Sequence, residues 1–254
     1  MNKTLMKTIA IVLMFTFIGC YASVAEEGKM YALCADNSFP PFEYWDGEAG
    51  RYAGVDVELI EAIARDQGFQ YTLTFIGFDA SCGSVQSGQA DAVIGPLSIT
   101  EDRKLVYDFS IPYFHDGQIM AVSAHSTIAT LEDLKGKSVA AKNGTMGAQY
   151  AERNQAQYGY TIQYYDDSPS MYQAVATGIN AACFEDFSVM AYAIGMGVDL
   201  EMVGDVINPV PCAYAVKKGT NEELLKCINE GLSNLMENGI YQEVLSKYGL
   251  TVVS

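Results

Sequence analysis

The sequence predicts an α/β protein with two lobes, in which each lobe is a mostly parallel β-sheet flanked by helices. From Lys29 onward, short apolar runs alternate with amphipathic stretches, which is typical of successive β-α-β units. The alternation starts again after "LEDLKGKSVAAKNGT", and two extended segments connect the two units. Two neighbouring crossings between lobes predict a hinge, because rotation about them opens or closes a cleft while few packed contacts break.

The first unit begins with a predicted strand in "MYALCA". Apolar residues near helical spacing, Val57, Ile60 and Ala64, predict a helix in "GVDVELIEAIARDQGF". A strand in "YTLTFIGF", a turn-rich helix and a strand in "ADAVIGPLSIT" follow. Sheets of this type bind ligands beyond the carboxyl ends of their strands, so we expect the functional site there.

The second unit repeats this order. Its expected elements are a strand at 137–141, a helix at 146–157, a strand in "YTIQYY", a helix at 170–177 and a strand in "AACFED". The crossings are "IPYFHDGQIMAVSAHS" and "INPVPCAYAVKKG", and helices at 221–238 and 241–247 complete the chain. The expected first lobe therefore comprises residues 29–115 and 213–254, and the expected second lobe comprises residues 116–212.

The amino terminus has the features of a secretory signal. Two lysines precede an apolar run at residues 8–18, which is too short to span a bilayer. "FIGC" resembles a lipobox, although Phe17 stands where Leu is usual; this makes residues 1–19 the signal peptide and Cys20 a lipidation site. Cleavage after Ala25 is the alternative. Either way we expect an exported protein, in the periplasm or on the outer face of the cell membrane, held there at most by a lipid.

The charge and cysteine content narrow the function classes. The chain of 254 residues has 15 basic and 31 acidic residues, for a formal net charge of −16, which disfavours nucleic acid and anionic lipid headgroups as partners. With only His115 and His125 and no CxxC spacing, neither a zinc site nor a cofactor is predicted. Apart from Cys20, the cysteines are expected to be mostly small buried hydrophobic residues, with one disulfide left possible: Cys34, Cys82, Cys183, Cys212 and Cys227.

Five segments, in order from about Lys29 to Tyr248, carry a resemblance to a known family. They are "CADNSFPPFEY", "YAGVDVELIEAIA", "QSGQADAVIGPLSITEDRKLVYDFSIPY", "LEDLKGKSVAAKNGT" and "ENGIYQEVLSKYG". Together they resemble the extracytoplasmic amino-acid-binding proteins of ABC importers, solute-binding protein family 3. The resemblance implies a type II periplasmic-binding-protein fold, without a cofactor and monomeric by analogy. Such a protein traps a free amino acid and delivers it to a membrane permease.

The carboxylate of an amino acid requires a planar pair of donors and backbone N–H groups. Arg103 in "SITEDR" is at an expected helix start, and the resemblance makes it the carboxylate clamp, whereas in isolation it would be read as a surface charge. Across the cleft, Thr145 and Met146 open an expected helix whose N–H groups favour an anion. The alternative for Thr145 is a simple helix cap.

The ammonium of an amino acid requires acceptors, preferably one of them charged. The resemblance assigns this role to Asp186 in "GINAACFEDFSV", with the hydroxyl of Ser98 and the carbonyl of Pro96 as further acceptors. Glu185 is the rival of Asp186, because neighbouring residues of a strand point to opposite faces.

The side chain of the ligand is expected to lie in an aromatic slot. The resemblance places Phe39 against it, and Phe78 is expected to face Phe39 across the slot. Three further aromatic residues of the same stretch are expected in the core or at the rim: Phe42, Tyr44 and Trp45.

Asp36 and Lys142 are expected at the far end of the slot, where they would pair with a polar side chain. The alternatives are solvated charges or an ion pair between the lobes. A neutral polar ligand, glutamine foremost, fits both residues; an arginine-type ligand fits only Asp36, and a dicarboxylic ligand fits only Lys142.

Two other function classes stay open. An exported dehydratase-type enzyme acting on a cyclic carboxylate would recruit Asp36, Glu185 or the histidines as acid or base. No nucleophile, base and orienting group stand together, so the sequence predicts no enzyme. A ligand-sensing module of a receptor or channel would need a transmembrane helix, and none is predicted after the leader.

Overall fold

The computed structural model describes residues 29–251, so the predicted leader, Cys20 and Ala25 lie outside the described residues. The first part of the chain contains β1 Met30–Ala35, β2 Ser38–Phe39, β3 Glu43–Asp46, β4 Arg51–Ala53, α1 Val55–Gln67, β5 Gln70–Phe75, α2 Phe78–Ser87, β6 Ala92–Ser98, α3 Glu101–Lys104 and β7 Tyr107–Phe109. The strand β8 Phe114–Ser123 then leads into the second part.

The second part begins with a 3-10 turn at Glu132–Leu134. It continues with β9 Ser138–Lys142, α4 Met146–Tyr158, β10 Thr161–Tyr165, α5 Ser168–Ala176, β11 Ala182–Asp186 and α6 Phe187–Gly195. The long strand β12 Leu200–Lys217 returns to the first part, where α7 Glu222–Glu237 and α8 Ile240–Lys247 follow. The predicted α/β order is confirmed, with helix and strand ends that shift by a few residues.

The first lobe is built around three parallel strands. β1 pairs with β5 on one side and with β6 on the other, and β12 adds to β6 in the antiparallel direction. Helix α1 covers this sheet because Leu59, Ile60 and Ile63 recur on one helical face and are fully buried. The positive φ of Gly68 ends α1 in a left-handed cap.

The second lobe repeats the arrangement. β9 pairs in parallel with β10 and β11, and β8 adds to β11 in the antiparallel direction. The strands β8 and β12 pair with each other, so they connect the two parallel sheets. Register shifts interrupt this pairing on either side of Ile207. The carboxyl ends of β1, β6, β9 and β11 are the positions where the sequence predicts the site.

A small three-stranded antiparallel sheet, β2-β3-β4, was not predicted. It occupies residues 38–53, the stretch that contains Phe39 and the three further aromatic residues. Within it Phe42 is fully buried, which confirms a core position for that residue, while Tyr44 is half-buried and Trp45 is 56% exposed, outside the core. In this sheet Phe39 of β2 is the cross-strand partner of Glu43 of β3.

The five cysteines between residues 29 and 251 are free thiols. Cys34, Cys183 and Cys212 are buried, as expected of small hydrophobic residues, and the disulfide left possible by the sequence is not formed among the five. Over the same range, no group of histidine, cysteine and acidic side chains is arranged to hold a metal ion. Nor does this range contain a helix with the length and apolar character needed to cross a bilayer.

Candidate ligand-binding site

Four strand ends from the two lobes meet around one cavity. Asp36 follows β1, Ser98 ends β6, Lys142 ends β9 and Asp186 ends β11. The lining surrounds about 480 Å³ of space not filled by protein atoms, including part of the opening to solvent. The position of the cavity agrees with the rule for parallel sheets, in which ligands bind beyond the carboxyl ends of the strands.

All ten site residues proposed from sequence line this cavity: Asp36, Phe39, Phe78, Pro96, Ser98, Arg103, Lys142, Thr145, Met146 and Asp186. The rival Glu185 lines it as well. The residues that were missed are Glu43 and the β6 residues Val93, Ile94, Gly95 and Leu97. Gly95 and Leu97 could have been found from the rule of strand ends, since they lie beside Pro96, whereas Val93 and Ile94 lie nearer the start of β6.

Arg103 is held by its own helix and by both lobes. The side chain of Thr100 caps α3 by accepting from the backbone N–H of Arg103 at 3.2 Å. Nη1 of Arg103 donates to the carbonyl oxygen of Ser98 and Nη2 donates to that of Gly144, both at 3.1 Å. The guanidinium carbon lies 5.6 Å from the centre of the Phe78 ring. Because a guanidinium has five N–H donors, donors beyond these two remain for an anion in the cavity.

Helix α4 begins at the cavity. The hydroxyl of Thr145 accepts from the backbone N–H of Ala148 at 3.2 Å and donates to the carbonyl oxygen of Lys142 at 2.8 Å. Thr145 is therefore a helix cap, as the alternative interpretation stated, and it still lines the cavity. Gly147 lets the helix approach β11, since a Cβ there would overlap the carbonyl oxygen of Phe184.

Asp186 has an unusual electrostatic environment. Its Oδ1 accepts a hydrogen bond of 2.9 Å from the side-chain amide of Gln118. Burial, with the charges of Asp116 and Glu185, raises the pKa of Asp186 to about 8. Asp116 is itself tied to the backbone and hydroxyl of Ser188. A cation placed in the cavity would favour the charged form of Asp186.

Glu185 is fixed by donors of the second lobe. Its Oε2 accepts from the hydroxyl of Ser168 at 3.0 Å and from that of Tyr172 at 2.8 Å, and its Oε1 accepts from the backbone N–H of Asp186 at 3.0 Å. Strand alternation does not choose between Glu185 and Asp186, because β11 ends at Asp186 and both residues line the cavity. Their hydrogen bonds do distinguish the two residues, since both carboxylate oxygens of Glu185 already accept hydrogen bonds from the protein, whereas Asp186 accepts one through Oδ1.

Asp36 and Lys142 form a buried ion pair with each other. The ammonium of Lys142 also donates to the hydroxyl of Ser168 at 3.2 Å and lies 4.7 Å from the centre of the Phe39 ring. The side chains of both ion-pair partners are 1% exposed. The alternative of an ion pair between the lobes is thus the arrangement observed, and the two opposite charges cancel at this wall of the cavity.

The fold and this cavity define a class of proteins that enclose a small ligand between two lobes. The chain belongs to the bacterial extracellular solute-binding proteins, family 3, whose sequence profile matches residues 31–251. The family resemblance seen in the sequence is confirmed.

Relatives with known names agree on amino-acid binding and differ in ligand. The L-cystine-binding protein TcyJ of Escherichia coli K12 is 29% identical, over 91% of this chain and 86% of its own length. Substrate binding domain 2 of Lactococcus lactis GlnP, in an open conformation, is 40% identical with a TM-score of 0.57, over 86% of this chain and 94% of its own. An ancestral arginine-binding protein bound to glutamine is 33% identical with a TM-score of 0.79, over 86% of this chain and 97% of its own.

Proposed function

We propose that the protein binds a free amino acid with a neutral polar side chain, glutamine foremost, and presents it to an ABC permease in the membrane. The observation that carries the proposal is one cavity lined by Arg103, Asp186 and the Asp36–Lys142 ion pair. An amino acid has a carboxylate, an ammonium and a side chain, and this lining offers a matching group for each.

Arg103, together with the start of α4, binds the ligand carboxylate. Its guanidinium supplies planar donors, and the N–H groups around Thr145 and Met146 add backbone donors at the positive end of a helix. Asp186 binds the ammonium, with the hydroxyl of Ser98 and the carbonyl of Pro96 as further acceptors. Glu185 is the weaker choice for the ammonium because its oxygens already have donors.

The ligand side chain lies against Phe39 and Phe78 and ends near Asp36 and Lys142. Since these two charges neutralise each other, a charged side chain would leave one of them without its partner, which is costly inside a protein. A side-chain amide accepts from an ammonium and donates to a carboxylate, so it adds hydrogen bonds without disturbing the balance. This supports a neutral amide ligand over a cationic or dicarboxylic one.

Binding operates by closure of the lobes about β8 and β12. We assign residues 29–115 and 213–254 to the first lobe and 116–212 to the second. The bond from Arg103 to Gly144 and the Asp36–Lys142 pair join residues of the two lobes. A ligand that touches both lobes adds contacts only in the closed form and shifts the population towards it, and the permease then engages that form.

Native mass spectrometry of the purified protein, followed by denaturation and identification of the released molecule, tests the proposal. We expect an intact amino acid, and calorimetric titration with glutamine, arginine, glutamate and cystine should give the highest affinity for glutamine. The Arg103→Ala variant should lose this binding, whereas the control Arg65→Ala, whose side chain is 75% exposed, should keep it. If no amino acid binds, or if Arg103→Ala binds as the unmodified protein does, the proposal is wrong.

A further inference from the structure

Two carboxyl groups are buried together in the wall of the ligand cavity. Glu43 of β3 is 2% exposed and lines the cavity, and Asp56 in the first turn of α1 is fully buried behind it. The backbone N–H of Asp56 donates to the carbonyl oxygen of Phe42, the residue before Glu43, at 2.9 Å, which brings the two carboxyl groups together, and each has a buried oxygen without a donor. Glu43 also touches the strand that forms the cavity floor, because a Cβ on Gly95 would lie 3.0 Å from its Oε1.

Two ionised carboxylates only accept hydrogen bonds, so a bond between them requires a proton. Oε2 of Glu43 and Oδ2 of Asp56 are buried, and no other group in the described part of the chain donates to either of them. Oδ1 of Asp56 already accepts from the hydroxyl of Tyr214 at 2.7 Å. The charge of the pair is therefore better stabilised on Asp56, and the proton belongs on Glu43.

The groups around the pair agree with this assignment. Tyr214 on β12 donates to Asp56 and favours its charged form, whereas the buried hydroxyl of Tyr113, which precedes β8, has no hydrogen-bond partner among the described residues. Burial, with the charges of Asp56 and Asp36, raises the pKa of Glu43 well above its ordinary value, and the Lys142 ammonium opposes this rise. Both members of the ion pair, Asp36 after β1 and Lys142 at the end of β9, line the cavity together with Glu43.

We propose that Glu43 is a specificity-determining residue that remains uncharged through a proton shared with Asp56 and thereby keeps the negative charge of the pair on Asp56, behind the cavity lining. Asp36 and Lys142 cancel each other, so the state of Glu43 decides whether the lining beside this ion pair carries an additional negative charge. This inference rests on the proposed function, since it concerns the ligand side chain. An ionised Glu43 would add a negative charge and favour a cationic side chain such as that of arginine.

The Asp56→Asn variant tests the proposal because it moves the charge without changing the total. The carbonyl oxygen of the introduced side-chain amide still accepts from Tyr214, while its NH₂ group donates to Glu43 and favours the ionised form of that residue. We expect the ratio of glutamine affinity to arginine affinity to fall by about tenfold or more. Adding Glu43→Gln removes the charge from this position of the wall, so the double variant should recover the original preference. The control Glu48→Gln changes an exposed carboxyl in the turn after β3.

Infrared difference spectroscopy supplies a second measurement that does not depend on ligand. The unmodified protein minus Glu43→Gln should show the C=O stretch of a protonated carboxyl, and the same difference with Glu48→Gln should not. Absence of that band, or an unchanged affinity ratio in a folded Asp56→Asn protein, would overturn the inference. If Asp56→Asn does not fold, the infrared band decides. Failure of the unmodified protein to bind any amino acid would instead refute the proposed function.

Discussion

Arg103 of the first lobe donates a hydrogen bond of 3.1 Å from Nη2 to the carbonyl oxygen of Gly144 in the second lobe. Gly144 comes directly before Thr145, the cap of α4, so this bond holds the guanidinium against the start of that helix. One side chain thus serves two purposes: it presents donors to the cavity, and it joins the lobes on either side of it.

The Arg103→Lys variant should bind its amino acid about tenfold to a hundredfold more weakly. A lysine keeps the charge but cannot make two parallel bonds to a carboxylate or reach Ser98 and Gly144 together, and each bond to a charged group contributes about 1.5–3 kcal/mol. Calorimetric titration measures the loss, with Arg65→Lys as the exposed control. An unchanged affinity would show that Arg103 does not bind the ligand carboxylate.

Separating the buried ion pair should destabilise the protein more than removing it. Lys142→Met leaves Asp36 without its partner, and we expect the free energy of unfolding to fall by about 3–5 kcal/mol. Adding Asp36→Asn to that variant should recover a large part of this loss, because the uncompensated buried charge is gone. Denaturant unfolding of both single variants and the double variant gives the coupling energy. Strictly additive effects would mean that the two charges do not interact.

Ligand binding near neutral pH should release a proton from Asp186. Its pKa in the ligand-free protein is raised from 3.8 to about 8, so the folded state holds more protons than the unfolded chain between these values. This group therefore stabilises the fold fully below its unfolded pKa, and the contribution is lost as pH rises through the folded pKa. A bound ammonium favours the ionised form, so binding expels the proton.

Calorimetry at pH about 7 in two buffers with different ionisation heats measures this release. We expect the observed binding heats to differ between buffers for the unmodified protein and for the exposed control Asp205→Asn. The difference should disappear in Asp186→Asn wherever binding is still measurable. Equal heats for the unmodified protein in both buffers would show that Asp186 is already ionised before the ligand arrives.

Gly147→Ala should disturb the junction of α4 with β11. The added Cβ would overlap the carbonyl oxygen of Phe184, a backbone atom that cannot rotate away. We expect a loss of about 1–3 kcal/mol in stability, together with weaker ligand binding, because α4 begins at the cavity. Gly83→Ala in α2 is the matched control, since it meets no atom within 4 Å and should stabilise the helix by about 1 kcal/mol. A stable, fully binding Gly147→Ala protein would contradict this packing.

The two α/β units were predictable because each uses long, regular signals. Helix α1 has three fully buried residues on one face, Leu59, Ile60 and Ile63, and the strand "MYALCA" ends in three buried residues. The small sheet was missed because β2 and β4 have only two and three residues, too few to establish an alternating pattern. Its prolines and glycines indicate turns and do not indicate pairing.

The sequence predicted which charged residues line the site, but it did not predict which of them pair with each other. The sequence places Asp36 and Lys142 at strand ends, but it carries no information on the distance between two lobes, so the ion pair and the ligand contact stayed equal alternatives. Glu43 was missed for a similar reason. Its partner Asp56 lies in the first turn of α1. An acidic residue at such a position is ordinarily exposed to solvent and interacts favourably with the helix dipole.

The pairing of β8 with β12 has a consequence for how lobe movement can be observed. The two strands pair from Leu200 to Cys212, with register shifts that permit local twisting. A rotation concentrated there would leave every helix and both parallel sheets of the described chain intact. The far-ultraviolet circular dichroism spectrum should therefore change little when ligand is added. Small-angle X-ray scattering, which reports overall dimensions, should record a smaller radius of gyration.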